Sequence, residues 1–233
     1  MDRRSFIGSC TAGAACLPLS ATLPVFAADG KPRPHPRALL VDEFGQSLRA
    51  ASLREHTNYV FHYPFQATPV FLLNLGKAAA ARTVEAKEGG SYHWPGGVGS
   101  RRSIVAYSAI CTHHLVYPNR ELSFISYRKD ATPRSKAGLI HCCAEHSQYD
   151  PAGGAAVLAG PAPRPLAAVL LEHDPATDSL TAYATLGSEM FPAFFKKYEA
   201  RLQLDSVANP QGRVGEKSRV HELAKFTKNN AQC

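Results

Sequence analysis

Acidic residues are scarce in this sequence, 19 Asp plus Glu against 26 Lys plus Arg in 233 residues, and the net charge is +7. The excess is spread along the chain, so it implies a basic surface and does not identify a nucleic-acid partner. Charged residues of both signs make up only 19% and hydrophobic residues 45%, which excludes a disordered chain. Six cysteines are too few for a disulfide scaffold, and this length buries a core without covalent staples. No internal repeat is visible, which excludes a solenoid or array. A long uncharged run occurs at the start, from Ser5 to Ala28.

That run follows Arg3 and Arg4 and ends in Val25-Phe26-Ala27, the pattern of a secretory signal. The paired arginines before Phe6 and Ile7 resemble the twin-arginine type, which exports folded proteins with their cofactors. Residues 1–27 are therefore expected to be a signal, taking Cys10 and Cys16 with them, and the mature protein to be periplasmic. Gly8, Gly13, Pro18 and Pro24 argue against a helix of the fold. The alternative is an uncleaved membrane anchor. Its length suffices, but three Ser, two Thr, two Gly and two Pro make it weakly apolar.

Residues 28–37 form a Pro-rich basic lead, expected to be an extended linker. Short β-type runs separated by turn residues follow: 38–41, 59–63, 70–75, 104–110, 122–127, 155–158, 167–171 and 180–183. Such a series argues for an all-β antiparallel sandwich or barrel over residues 38–186. Two stretches read as helical, 78–86 and 191–204. In the second, Met190, Phe191, Phe194, Phe195, Tyr198 and Leu202 recur at helical spacing, as if to pack on the sheet. Residues 187–233 are expected to be an extension with that one helix, polar and basic from Asp205 onward, either solvated or a docking arm.

Two boxes carry chemistry. Cys111-Thr112-His113-His114 closes the apolar run 104–110, and His141-Cys142-Cys143-Ala144-Glu145-His146-Ser147-Gln148-Tyr149-Asp150 follows downstream. Read as C-x-H and C-x-x-H, they offer two thiolates and two imidazoles on tight loops. A [2Fe–2S] centre with two Cys on one iron and two His on the other needs this set. Zinc accepts the same four donors.

The pair of boxes resembles the Rieske iron–sulfur family. Gly153-Gly154 and then Gly160-Pro161-Ala162-Pro163-Arg164-Pro165 are similar to the proline loop that covers the cluster in Rieske proteins of cytochrome bc complexes and arsenite oxidases. Three elements in this order make the match specific, and zinc leaves the proline loop and the export signal unexplained. The resemblance implies a Rieske-type fold with a small cluster-binding subdomain and one [2Fe–2S] cluster per chain. Cys111 and Cys143 would be the thiolate ligands, His113 and His146 the imidazole ligands. Ser147 and Tyr149 would donate hydrogen bonds to sulfur, and residues Gly160, Pro161, Ala162 and Pro163 would form the cover.

There are four departures from the family pattern. Val116 and Glu145 stand where quinol-oxidising members carry the cysteines of a disulfide clamp, so no such clamp is expected. The 29 residues between His113 and Cys143 exceed the usual gap, and the surplus around 120–136 is expected to form an extra hairpin or lid. Only two residues separate His146 from Tyr149. Ungapped alignment on Ser147 and Tyr149 makes Cys142 the ligand and puts Glu145 in the place of His, so Cys142 stays an alternative. His114 is a spare imidazole, and Cys233 a free thiol or a link to a partner.

The implied role is single-electron transfer as a subunit of an oxidoreductase complex, from a donor enzyme or quinol to a cytochrome c-like acceptor. A zinc-stabilised binding module and a membrane-anchored quinol-oxidising subunit are the alternatives. Between His114 and Cys142 lie five basic and two acidic residues, a collar suited to an acidic protein partner and not to nucleic acid.

Overall fold

The computed structural model describes residues 30–86, 90–187, 190–205 and 209–233. The signal or anchor expected at 1–27 lies outside them. Among the described residues no helix is long and apolar enough to cross a membrane.

The chain is built mainly of antiparallel strands. Eight form one sheet in the order Lys217–Arg219, Arg33–Val41, Ser179–Leu186, Ala168–Asp174, Ile104–Ser108, Pro69–Asn74, Tyr59–His62 and His221–Glu222. Its two edge strands come from one short stretch of tail, with only Val220 between them. Lys217–Arg219 runs parallel to Arg33–Val41, and His221–Glu222 runs antiparallel to Tyr59–His62. Ser218 ties the edges further, its Oγ donating to the His62 carbonyl at 2.8 Å. The tail thus bridges the two ends of the sheet and leaves it a nearly closed barrel. It is neither a solvated extension nor a free arm. A second short helix, Leu223–Phe226, buries Leu223 and Phe226 against the core.

Alternation along the central strands explains their unbroken apolar sequence. In Pro69–Asn74, Val70 and Leu72 face the barrel interior with Phe61 and Leu40, whereas Phe71 and Leu73 face a second core shared with Ile125, Ile140 and Tyr149. Both faces are covered, so both registers are apolar.

That second core seats a four-stranded sheet in the order Ala156–Ala159, Ser147–Asp150, Leu139–Cys142 and Ile125–Arg128. The expected insertion around 120–136 supplies its last strand, hairpinned to Leu139–Cys142.

Three expectations are corrected. The run 78–86 is not helical: Arg82–Glu85 pairs with Ser91–Trp94, because β-branched Thr83 and Val84 favour a strand and Val84 buries against the core. The Pro-rich lead is no linker from Arg33 onward, since it pairs with Ser179–Leu186, and the register shift between Pro34 and Ala38 absorbs Pro36. The helix Phe191–Leu204 forms as expected but does not cover the sheet. Phe194, Phe195 and Leu202 pack on Ala67, Ile110, Leu115 and Tyr117, beneath the first box.

Candidate metal centre

The first box is a tight loop that leaves the strand Ile104–Ser108. The Leu115 amide donates to the Cys111 carbonyl at 2.8 Å, and the Cys111 amide donates to the Val116 carbonyl at 2.9 Å. Leu115 takes a positive φ of 58° to close the loop. The helix holds it from outside, Lys197 Nζ donating to the His114 carbonyl at 2.6 Å. The second box is the turn of a hairpin, Cys142 pairing with Ser147 across residues 143–146. His146 turns the chain there with φ 57°.

These loops bring together Cys111 and Cys142, both buried to about 1% exposure, with their thiols in hydrogen-bond contact. Each sulfur lies in the same kind of cradle. The amides of His113 and His114 face Cys111, and those of Ala144 and Glu145 face Cys142, in each case two and three residues further on. Tyr149 completes the arrangement. Its hydroxyl lies 3.2 Å from Cys111 Sγ and accepts from the Thr112 amide at 3.3 Å, which leaves the phenol proton for sulfur.

The electrostatic result is an asymmetric pair in which Cys142 keeps its proton. The Cys142 thiol, against burial and aided by Tyr149 and the amides, lowers the Cys111 thiol to about 6. Cys142 is pushed up by that same hydrogen bond and by burial. Burial and the Cys111 charge likewise raise Tyr149, so it stays a neutral donor. One thiolate is therefore accommodated near neutral pH without a metal, and a cation between the sulfurs would favour the second.

Cys143, the expected second thiolate, does not join them. Its sulfur is bonded to Cys233 at 2.09 Å, and a disulfide sulfur is no thiolate ligand. The reason lies in strand alternation. Ile140 and Cys142 share the inward face, whereas Cys143 is the first residue of the turn, and the buried His141 lies 3.7 Å through Nδ1 from Cys233 Sγ. Cys233, expected as a free thiol or a link to a partner, is paired within the chain. The expectation of no clamp concerned Val116 and Glu145, and among the described residues no disulfide joins the two boxes.

The imidazoles of His113 and His146 are half-buried, and each has a buried Nδ1 with no hydrogen-bond partner. Orphaned nitrogens and cradled thiols are donor types that a metal takes, and among the described residues the ligand atoms that gather within 4.8 Å of one another are those of His141, His146 and Cys233. Nε2 of His146 is 3.0 Å from the Arg134 guanidinium, which reaches over from the insertion. His114 is exposed, its ring against His113 at 3.8 Å between centroids.

The proline loop lies over both boxes. Thr112 Oγ1 donates to the Arg164 carbonyl at 2.7 Å, and the Ala162 amide donates to Ser147 Oγ at 3.1 Å. Ser147 thus anchors the loop and keeps its own proton to give. Gly160, at φ +84°, approaches so closely that a Cβ there would stand 2.6 Å from Ser147 Cα. Ala162 is fully buried, Pro163 half-buried and Pro161 exposed, so the loop presents one face to the boxes and one to solvent.

No protein-family model matches the sequence. Among solved structures, the soluble domain of Rieske protein II from Sulfolobus acidocaldarius is similar over 65% of this chain and 78% of its own length, at 25% identity and a TM-score of 0.45.

Proposed function

We propose that this protein is a Rieske-type electron-transfer protein, with one [2Fe–2S] cluster held by Cys111 and Cys142 on one iron and His113 and His146 on the other. The observation that carries this reading is the pair of equivalent cradles, with Cys111 and Cys142 each facing two backbone amides on facing loops, and orphaned Nδ1 atoms on a histidine of each loop. The group supplies one-electron redox chemistry when bound.

The chain's own residues set the conditions for it. Four amides and the Tyr149 hydroxyl spread negative charge from sulfur into fixed dipoles, which favours the more reduced state. The proline loop excludes water from the thiols. The aromatic helix packs behind the first box with Lys197 on the His114 carbonyl, and the insertion keeps Arg134 against the outer nitrogen of His146.

Export to the periplasm by the twin-arginine signal, with an anchored N-terminus as the alternative, fits a protein loaded before transport. The donor is a catalytic oxidoreductase subunit or quinol, and the acceptor a cytochrome c-like protein. Lys129, Arg134 and Lys136 are exposed on the insertion that carries the Arg134–His146 contact, and such a rim speeds encounter with an acidic partner.

Replacing Tyr149 by Phe removes one hydrogen bond to the buried Cys111 sulfur. The midpoint potential is expected to fall by about 60 mV, a tenfold change for a one-electron couple, with iron content unchanged. Protein-film voltammetry measures it, and an unchanged potential would remove Tyr149 from this role. The reading itself is tested by the electron paramagnetic resonance spectrum of the reduced protein.

A further inference from the structure

The end of the chain does not finish at a free surface. Asn229–Asn230 runs parallel to Leu122–Ser123, and the Ala231 amide donates to the Ser123 carbonyl at 2.8 Å. Asn230 Nδ2 donates to Ser126 Oγ at 3.3 Å. The buried Arg128 guanidinium donates to the Ala231 carbonyl and to Gln232 Oε1, and approaches Cys143 Sγ at 3.3 Å. The strap then reaches the turn of the second box, where Cys233 is bonded to Cys143 across 90 residues of chain. Cys143 lies between Cys142 and the His146 turn, and its amide donates to the Phe124 carbonyl at 2.6 Å. Insertion, strap and turn therefore form one cross-linked unit beside the candidate metal centre.

We propose that Cys143 and Cys233 are positioning residues, and that their disulfide is a clamp that holds the second box through the strap 229–233. The clamp acts on Cys142 and His146 through the 143–146 turn, and to that extent it rests on the function proposed above. Its formation removes two electrons and two protons from the two thiols, taken up by a protein disulfide that is itself reduced to a dithiol. An oxidising compartment suits such a bond. Reduction by a dithiol returns both thiols and frees the strap from the turn while the barrel-closing strands stay in place.

The test uses the full-length chain and is read in two stages. In the untreated protein, alkylation followed by peptide mass mapping is expected to recover a peptide linking Cys143 to Cys233 with both sulfurs protected. Hydrogen exchange of the amides at 143–146 and 229–233 is expected to rise at least tenfold in Cys233→Ser. Its melting temperature is expected to fall by about 5–10 °C. In iron-loaded protein, Cys233→Ser is expected to keep its iron, shift the line shape of the resonance spectrum and lose the cluster several-fold faster. Cys143→Ser should match it in every readout, because each variant breaks the same bond.

Alkylation of both thiols in untreated protein would overturn the proposal. So would exchange rates, line shape and cluster lifetime equal to those of the unaltered chain. If the protein binds no iron at all, the function proposed above fails. The linked peptide and the exchange at 143–146 still decide whether the clamp holds the turn.

Discussion

Cys142→Ser is expected to abolish binding of the proposed cluster, with iron and acid-labile sulfide falling to background, whereas Cys143→Ser is expected to retain both. The contrast follows from where two adjacent cysteines point. Cys142 is buried at about 1% exposure, in thiol contact with Cys111 and facing the amides of Ala144 and Glu145. Serine there offers a poor ligand to iron that thiolate would hold. Cys143 has given its sulfur to Cys233. Iron and sulfide determination on the two variants, purified side by side, separates them. Loss of the cluster in Cys143→Ser with retention in Cys142→Ser would restore the ligand set expected from C-x-x-H spacing.

Ending the chain after Gly215 is expected to destroy cooperative folding. The deleted residues supply both edge strands of the barrel, Lys217–Arg219 and His221–Glu222, and leave the backbone of Arg33–Val41 and Tyr59–His62 unpaired on one side. Val220, Leu223 and Phe226 lose their burial as well. Three side chains at about 1.5–3 kcal/mol each come to roughly 5 kcal/mol or more, comparable with the whole stability of many domains. Circular dichroism during heating reads the result, with no sigmoidal transition expected and aggregation through the open edges. Native-like melting of the shortened chain would show that the tail is an accessory. A chain ended after Lys228 keeps the closing strands and lacks the strap, and it is expected to melt cooperatively at a lower temperature.

Much of this architecture was legible in the sequence because hydrophobic period and turn residues act locally. The apolar runs at 59–63, 70–75, 104–110 and 167–171 became strands within a few residues of their expected ends. The aromatic spacing from Phe191 gave the helix its bounds. The surplus between the boxes made a hairpin, as an insertion between two strands of one small sheet must. What escaped depends on contacts distant in sequence. The polar stretch Lys217–Glu222 has no apolar period because its strands are short and at the edges, so nothing local distinguishes it from a solvated tail. Ala78–Ala81 suggested a helix by propensity alone, and the pairing of Arg82–Glu85 with Ser91–Trp94 overrode it.

Within the site, the order and spacing of the boxes and the proline loop suggested a common locus, and the structure brings Cys111, Tyr149 and that loop together. The choice between Cys142 and Cys143 could not be read from a motif count. A period-two reading of Leu139-Ile140-His141-Cys142 puts Ile140 and Cys142 on one buried face, and the alignment on Ser147 and Tyr149 points the same way. The role of Cys143 depended on Cys233, 90 residues away, and no local pattern predicts such a pairing.

The proposed ligands Cys111, Cys142, His113 and His146 imply a [2Fe–2S] cluster with mixed sulfur and nitrogen ligation. The most direct measurement is the low-temperature electron paramagnetic resonance spectrum of the dithionite-reduced full-length protein, with metal content determined on the same sample. Two irons and two sulfides per chain, with a rhombic signal of low average g, are predicted. One zinc per chain and no cluster signal, or a cluster signal with the higher average g of all-cysteine ligation, would contradict it.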